Sequence, residues 1–168
     1  MSRLKTITVP MIRDWQPCYD PTEKLPEDWT GTVLDVLGLE CVSVADRFWV
    51  ILRSDFLSEK LMRLFAVWCA RQVEHLMEDQ ISKDALNVAE RFANGQATLE
   101  ELGASWDASW YAAMGAAMAV ARGAARAAAW YAARAAVRAA SRDDAQVKKL
   151  KEMIISGIET GDIVLEEK

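Results

Sequence analysis

The sequence predicts an all-α protein, a helical bundle around one long, alanine-rich central helix. More than half of the residues between Ala112 and Ala140 are alanine, the best helix former, and no proline interrupts them. Apolar residues also recur at helical spacing in residues 58–80. Three prolines in residues 17–26 instead favour an extended arm, because a residue before proline avoids the helical region. A minor two-stranded β element completes the predicted fold.

The central helix is expected to begin at Thr98, which forms a capping box with Glu101. Its large side chains follow one another at four-residue intervals, and residues four apart are neighbours on a helix surface. This row is Trp106, Trp110, Met114, Met118, Arg122, Arg126, Trp130, Arg134, Arg138 and Arg142. The first half is apolar and the second half is mostly cationic. The helix either continues through residues 145–155 or restarts at Ser141, and we expect it to end at Gly157.

Shorter elements are expected on the N-terminal side of the central helix. Residues 3–9 alternate like a short strand or extended arm, and residues 11–15 form one helical turn. The arm then carries Trp15 and Tyr19 against the helices as a strap. A short helix is expected from Trp29 to Leu37, ending at Gly38. Residues 163–165 are predicted to pair with residues 6–9.

Three helices are expected between residues 43 and 95. Ser43 and Asp46 form a second capping box, and Ser58 begins a long amphipathic helix. Ser82 caps a further helix, which Asn94-Gly95 closes. The chain is predicted to be one domain with three parts: an N-terminal arm with a short helix (1–42), the bundle (43–157) and an acidic tail (158–168).

Charge is unevenly distributed along the chain. The net charge is -5, but residues 112–142 carry five arginines and no acids, so the remainder sums to -10. This balance disfavours general nucleic-acid binding by the whole chain, but it does not exclude binding by a local arginine patch. The five arginines also argue against membrane insertion of the alanine-rich helix. Three widely spaced cysteines without a CxxC pair fit a reducing compartment, so we expect a cytoplasmic protein.

Candidates for catalysis are few. His75 is the single histidine, and acidic neighbours make a solvated helix face the better interpretation than a catalytic base. Asp107, between two tryptophans, is also expected to face solvent. Phosphate-binding, dinucleotide-binding and nucleophile-elbow motifs are absent from the sequence. We therefore predict no enzyme activity, no catalytic residue, no cofactor and no metal.

The candidate binding surface lies on the second half of the central helix. Most of the aromatic residues along the whole central helix (Trp106, Trp110, Tyr111, Trp130 and Tyr131) are expected to be core residues, but Trp130 and Tyr131 differ because arginines flank them. Tryptophan, tyrosine and arginine are enriched in the residues that dominate protein interfaces. The predicted protein-binding residues are Arg122, Arg126, Trp130, Arg134 and Arg138.

Three short sequence segments resemble those of a known family. They are WQPCYDP (Trp15–Pro21), CARQVEHLM (Cys69–Met77) and NGQATLEEL (Asn94–Leu102), followed by the alanine-rich run. Together they resemble alanine-rich helical proteins assigned as immunity proteins, and similar proteins of tailed phages and prophages. The resemblance covers residues 15–142. It implies an accessory protein of a phage or mobile element and supplies no catalytic residues.

These observations lead to four functional hypotheses. The first is a non-enzymatic phage or prophage protein that binds and inhibits a host defence complex, in the manner of an anti-CRISPR inhibitor. The second is an immunity protein that neutralises a cognate toxin. The third is an enzyme with a small-molecule pocket between the tryptophans. The fourth is a structural homo-oligomer, such as a homodimer joined through the alanine-rich helix.

Overall fold

The computed structural model describes residues 4–72, 74–76, 80–105 and 128–166, with the backbone alone for residues 76 and 128–142. The described chain is mostly helical and contains one two-stranded antiparallel sheet. The predicted all-α class with a minor β element is therefore confirmed. Two compact units are present, one of residues 1–61 and 147–168 and the other of residues 62–146. We call them unit 1 and unit 2.

Unit 1 begins with strand β1 (Ile7–Thr8), which pairs with β2 (Thr30–Gly31). Helix α1 (Val9–Asp14) follows directly, two residues earlier than the predicted turn. The Thr8 hydroxyl accepts a hydrogen bond from the Met11 amide at 3.3 Å, which caps the helix. Pro10 fits the first turn because an amide there needs no helical acceptor. A two-stranded sheet was predicted, but the strand that pairs with β1 is β2 and not the C-terminal tail.

Helix α2 (Val33–Leu37) begins later than the predicted start at Trp29. Thr30 and Gly31 are held in β2, so helical geometry can begin only after them. A capping box marks the start: the Asp35 amide donates to the Thr32 hydroxyl at 3.4 Å, and the Thr32 amide donates to the Asp35 carboxylate at 2.7 Å. Gly38 follows the last residue, as expected.

Helix α3 (Val44–Ile51) is capped by Ser43, as predicted. The Asp46 amide donates to the Ser43 hydroxyl at 3.1 Å, and that hydroxyl donates to the Asp46 carboxylate at 2.7 Å. Helix α4 (Glu59–Arg71) also begins where predicted, because the Leu61 amide donates to the Ser58 hydroxyl at 3.1 Å. The helix ends at Arg71, earlier than the sequence pattern indicates.

The long helix α6 (Ala128–Thr160) passes through Ser141 without a break, so the continuous alternative is the observed one. The prediction that this helix ends at Gly157 is wrong, because Gly157 lies inside its last turns. Any Cβ at Gly157 would approach Leu61 Cδ1 to 2.8 Å, so the glycine permits close packing. The helix ends before Gly161, whose φ of +79° is the left-handed conformation that stops a helix.

The core of unit 1 draws on most of its elements. Leu150 and Ile154 of α6 are fully buried, as are Ile7 and Val9 near the N-terminus. The remaining buried apolar residues of this unit are Ile12, Leu25, Val33, Val36, Leu37, Val50, Ile51, Phe56, Leu57, Leu61 and Ile163.

The C-terminal tail closes onto this core by main-chain pairing. Ile163 forms an antiparallel bridge with Leu57, and Leu165 forms one with Leu4. The expected pairing of residues 163–165 with residues 6–9 is therefore wrong in register, since β1 is already paired with β2. Asp162 anchors the tail, because Lys60, Ser58 and Thr160 all contact its carboxylate.

Unit 2 contains α5 (Gln80–Ala93) and the helical residues 99–105, besides residues 62–71 of α4 and 128–146 of α6. The prediction that Ser82 caps α5 is wrong, because the helix begins at Gln80 and already includes Ser82. Gly95 closes this helix with a φ of +71°. The Thr98–Glu101 capping box is confirmed: the Glu101 amide donates to the Thr98 hydroxyl at 3.1 Å, and the Thr98 amide to the Glu101 carboxylate at 2.7 Å.

Polar contacts connect the described helices of unit 2. The Arg71 guanidinium bonds to Glu74, Asn87 and Glu90, which ties α4 to α5. Gln146 of α6 donates to the Cys69 sulfur at 3.5 Å, and burial raises the pKa of this thiol. Within the described part of the chain, no helix is long and apolar enough to cross a membrane.

Candidate functional site

The predicted protein-binding row cannot be assembled from the described residues. Arg122 and Arg126 lie outside them, as do Asp107 and the aromatic residues 106, 110 and 111. Trp130, Arg134 and Arg138 lie in α6, where the backbone alone is described, and follow one another at four-residue intervals along a continuous helix. The arginine–aromatic surface therefore stays a prediction.

A different site is visible in unit 1, where the proline-containing arm crosses helices α2 and α3. It is a pocket of about 300 Å³ with mainly apolar walls. One wall comes from the arm, through Gln16, Pro17, Cys18, Tyr19, Pro21, Lys24 and Leu25. The opposite wall comes from α2, α3 and the turn between them, through Val36, Leu39, Val42, Ala45, Asp46, Arg47, Trp49 and Val50. We call this cavity the arm pocket.

The arm is held in place by a small ionic network. The Asp20 carboxylate accepts hydrogen bonds from the Thr22 amide at 2.9 Å and the Thr22 hydroxyl at 2.7 Å, which caps a 3₁₀ turn at Pro21–Glu23. Arg13 of α1 then bridges Asp20 at 3.2 Å and Glu27 at 2.9 Å. The Thr22 bonds, together with Arg13, lower the pKa of Asp20 to about 2. These contacts connect the middle of the arm segment that forms the pocket wall to α1.

Tyr19 connects the arm to α3. Its hydroxyl donates a hydrogen bond to Asp46 Oδ2 at 3.1 Å, and the same oxygen accepts from the Ser43 hydroxyl. Burial of the ring, and then the Asp46 carboxylate, raise the pKa of Tyr19 above its ordinary value. The predicted strap is thus confirmed for Tyr19, which donates to Asp46 in its neutral form.

Arg47 is the cation of the opposite wall. Its Nη1 donates to the Leu37 carbonyl oxygen at 2.7 Å, at the C-terminal end of α2. A cation is favourable there, because helix carbonyls lack partners in the last turn. The Nε atom of Arg47 is buried and has no hydrogen-bond partner. The Nε atom of Arg53 is likewise buried without a partner among the described residues, and such atoms are uncommon in folded proteins.

An aromatic cluster adjoins the pocket through Trp49. The Arg53 guanidinium lies 4.2 Å from the ring centroid of Trp15 and 4.5 Å from that of Trp49. Trp15 also meets Phe56 edge-on, with centroids 6.0 Å apart. Trp49 is 41% exposed. The predicted packing of Trp15 against the helices is therefore confirmed, and the cluster presents tryptophan and arginine at the surface.

The arm pocket was not predicted from the sequence. One sequence signal did exist, because the segment Trp15–Pro21 that was singled out in the sequence supplies part of the arm wall. In the structure, Gln16 of this segment has a φ of +57°, which is uncommon for a residue other than glycine. His75 is exposed in a 3₁₀ turn, as expected for a solvated position. Among the residues that the structure describes, no three His, Cys, Asp or Glu side chains are grouped to hold a metal ion.

Comparison with known proteins found no match to a family model, a curated protein or a solved structure. The resemblance to immunity and phage proteins accordingly stays a prediction.

Proposed function

We propose that this chain is a non-catalytic binding protein that takes up a small apolar ligand in the arm pocket. The observation that supports this function best is the pocket itself: about 300 Å³, mostly apolar, with a few fixed polar groups. Ligand sites typically begin at about this volume and combine apolar walls with a small number of oriented polar groups. Its polar groups are oriented by Tyr19–Asp46 and by Arg47 on the Leu37 carbonyl.

The anchoring of the arm supports the same proposal. Asp20 connects the pocket wall to Arg13 of α1 and to Thr22, so the protein's own residues hold this wall. A preformed site does not require ordering of the chain upon binding, so less of the interaction free energy is lost.

Filling the pocket should abolish ligand binding. Ala45→Trp adds a large ring at the α3 wall, and we expect it to remove binding of neutral apolar probes such as 1-hexanol, measured by ligand-observed NMR. Ala104→Trp is the matched control, since Ala104 is also an exposed helical alanine but lies in unit 2. Equal probe binding by the two variants would place the ligand elsewhere and refute the proposal.

A second candidate function is protein binding, favoured by the exposed Trp49 beside Arg53. Tryptophan and arginine are the residues most enriched among interface hot spots. We propose two purposes for such binding in a bacterial cytoplasm: inhibition of a host defence complex, or neutralisation of a toxin. The residues predicted from the sequence, Arg122, Arg126, Trp130, Arg134 and Arg138, are the alternative binding site in this proposal.

Two sets of variants distinguish these surfaces. Trp49→Ala should weaken binding of a purified defence complex or toxin by roughly tenfold or more if unit 1 carries the hot spot. Ile155→Ala, at a residue that is similarly exposed, is the control. If Arg134→Glu together with Arg138→Glu abolishes binding while Trp49→Ala does not, the arginine row is the interface. Surface plasmon resonance measures each affinity.

A further inference from the structure

We infer that the ligand of the arm pocket is a small apolar carboxylic acid, whose carboxylate binds Arg47 and whose apolar body fills the cavity. This inference rests on the proposed ligand-binding function and adds the chemical class of the ligand.

The first argument is the unused hydrogen-bonding capacity of Arg47. A guanidinium carries five N–H donors, and one of them is used here, on the Leu37 carbonyl oxygen. Among the described residues, no Asp or Glu carboxylate forms an ion pair with Arg47. The remaining guanidinium donors can therefore bind a ligand carboxylate, the group that they match best.

The second argument is the local charge. Arg47 and Lys24 line the pocket with positive charge and Asp46 with negative charge, so the lining carries a formal charge of +1 in a molecule of -5. Asp46 would repel an anion, but its Oδ2 atom is occupied by the hydroxyls of Tyr19 and Ser43. The net positive charge of the lining favours an anionic group on the ligand over a cationic one.

The third argument concerns the rest of the ligand. Leu25, Val36, Leu39, Val42 and Val50 form apolar walls that offer no hydrogen bonds from their side chains. An inorganic anion would lose hydration against them without compensation, whereas a short alkyl or aromatic body gains free energy by leaving water. The volume of about 300 Å³ limits that body to a small one.

Three probes of graded chemistry test the inference on the full chain by isothermal titration calorimetry. Hexanoate has both the carboxylate and the apolar body, hexanamide replaces the charge by a neutral amide of similar shape, and acetate lacks the apolar body. We expect hexanoate to bind at least roughly tenfold more tightly than either of the others, which corresponds to one charge-assisted hydrogen bond.

Two variants assign the preference to Arg47. Arg47→Gln should bring the affinity for hexanoate down to that for hexanamide, while Arg47→Lys should retain part of the difference. Circular dichroism checks that each variant is folded, and the three-probe comparison on the unmodified chain decides the matter if one is not. Equal binding of hexanoate and hexanamide would overturn the inference and leave the proposed pocket function intact. Binding of none of the probes at millimolar concentration would overturn both.

Discussion

Several carboxylates of this chain accept backbone hydrogen bonds at the start of a helix or turn. Asp35 and Glu101 receive such bonds from Thr32 and Thr98, and these bonds lower the pKa of both carboxyls. Asp20 is the most strongly affected, with a pKa of about 2 caused first by the Thr22 hydroxyl and then by the Thr22 amide. A group whose pKa is lowered by folding stabilises the native state only while it is ionised.

This gives a prediction for acid unfolding. The folded pKa of Asp20 is about 2 and its ordinary value is 3.8, so its contribution is complete above the ordinary value and is lost as the pH falls towards 2. Asp20→Asn should therefore flatten the decrease in the free energy of unfolding between about pH 4 and pH 2, measured by urea denaturation at a series of pH values. Thr22→Val, which removes one donor, should have a smaller effect of the same sign. An unchanged pH profile in Asp20→Asn would contradict the assignment.

At the scale of elements, the close approach of α6 to its neighbours depends on Gly157. A Cβ there would lie 2.8 Å from Leu61 Cδ1 and 3.2 Å from Ile163 Cγ1, and both of these side chains are buried. Glycine has a low helix propensity, so it destabilises a helix interior. At position 157 it is nevertheless favoured, because only a residue without a Cβ leaves room for Leu61 and Ile163. At Gly103, in the helical residues 99–105, no heavy atom of the described residues outside the adjacent backbone lies within 4 Å of the corresponding position.

The two glycines form a matched pair for mutation. Gly157→Ala should reduce the free energy of unfolding by about 1–2 kcal/mol, because overpacking exceeds the gain in helix propensity. Gly103→Ala should instead raise it by up to about 1 kcal/mol, since there the propensity acts alone. Chemical denaturation measures both values. Stabilisation by Gly157→Ala would show that Leu61 and Ile163 can move aside.

At the scale of the whole molecule, local signals predicted helix starts better than they predicted boundaries set by distant residues. Ser43, Ser58 and Thr98 cap their helices because the capping bonds join residues only three apart. The predicted start of α2 at Trp29 was wrong, because Thr30 and Gly31 pair as a strand with residues 7–8.

The candidate site could be predicted only in part for a related reason. Its walls converge from residues 12–25 and 36–50, and no periodic pattern records which loop crosses which helix. The strap of Trp15 and Tyr19 was predicted, since large amphipathic rings on an extended arm need apolar neighbours. The role of Arg47 was not, because it depends on the Leu37 carbonyl of another element.

The contribution of α6 to unit 1 can be measured with two adjacent isoleucines. Ile154 is fully buried and Ile155 is 49% exposed. Ile154→Ala should lower the free energy of unfolding by about 2–5 kcal/mol, because it leaves a cavity in the core. Ile155→Ala should change it by roughly 0.5 kcal/mol. Similar losses for the two variants would contradict the burial of this face of α6.

The bridges between Leu4 and Leu165 and between Leu57 and Ile163, with the bonds from Thr6 to Glu166, hold the two ends of the described chain side by side. In this geometry a short peptide linker could join residues 4 and 166, which is the condition for a circularly permuted form of the described residues. New ends fit at Asn94–Gly95, an exposed turn after α5. By the same geometry, affinity tags are better inserted at that turn than fused beside Leu4 or Glu166.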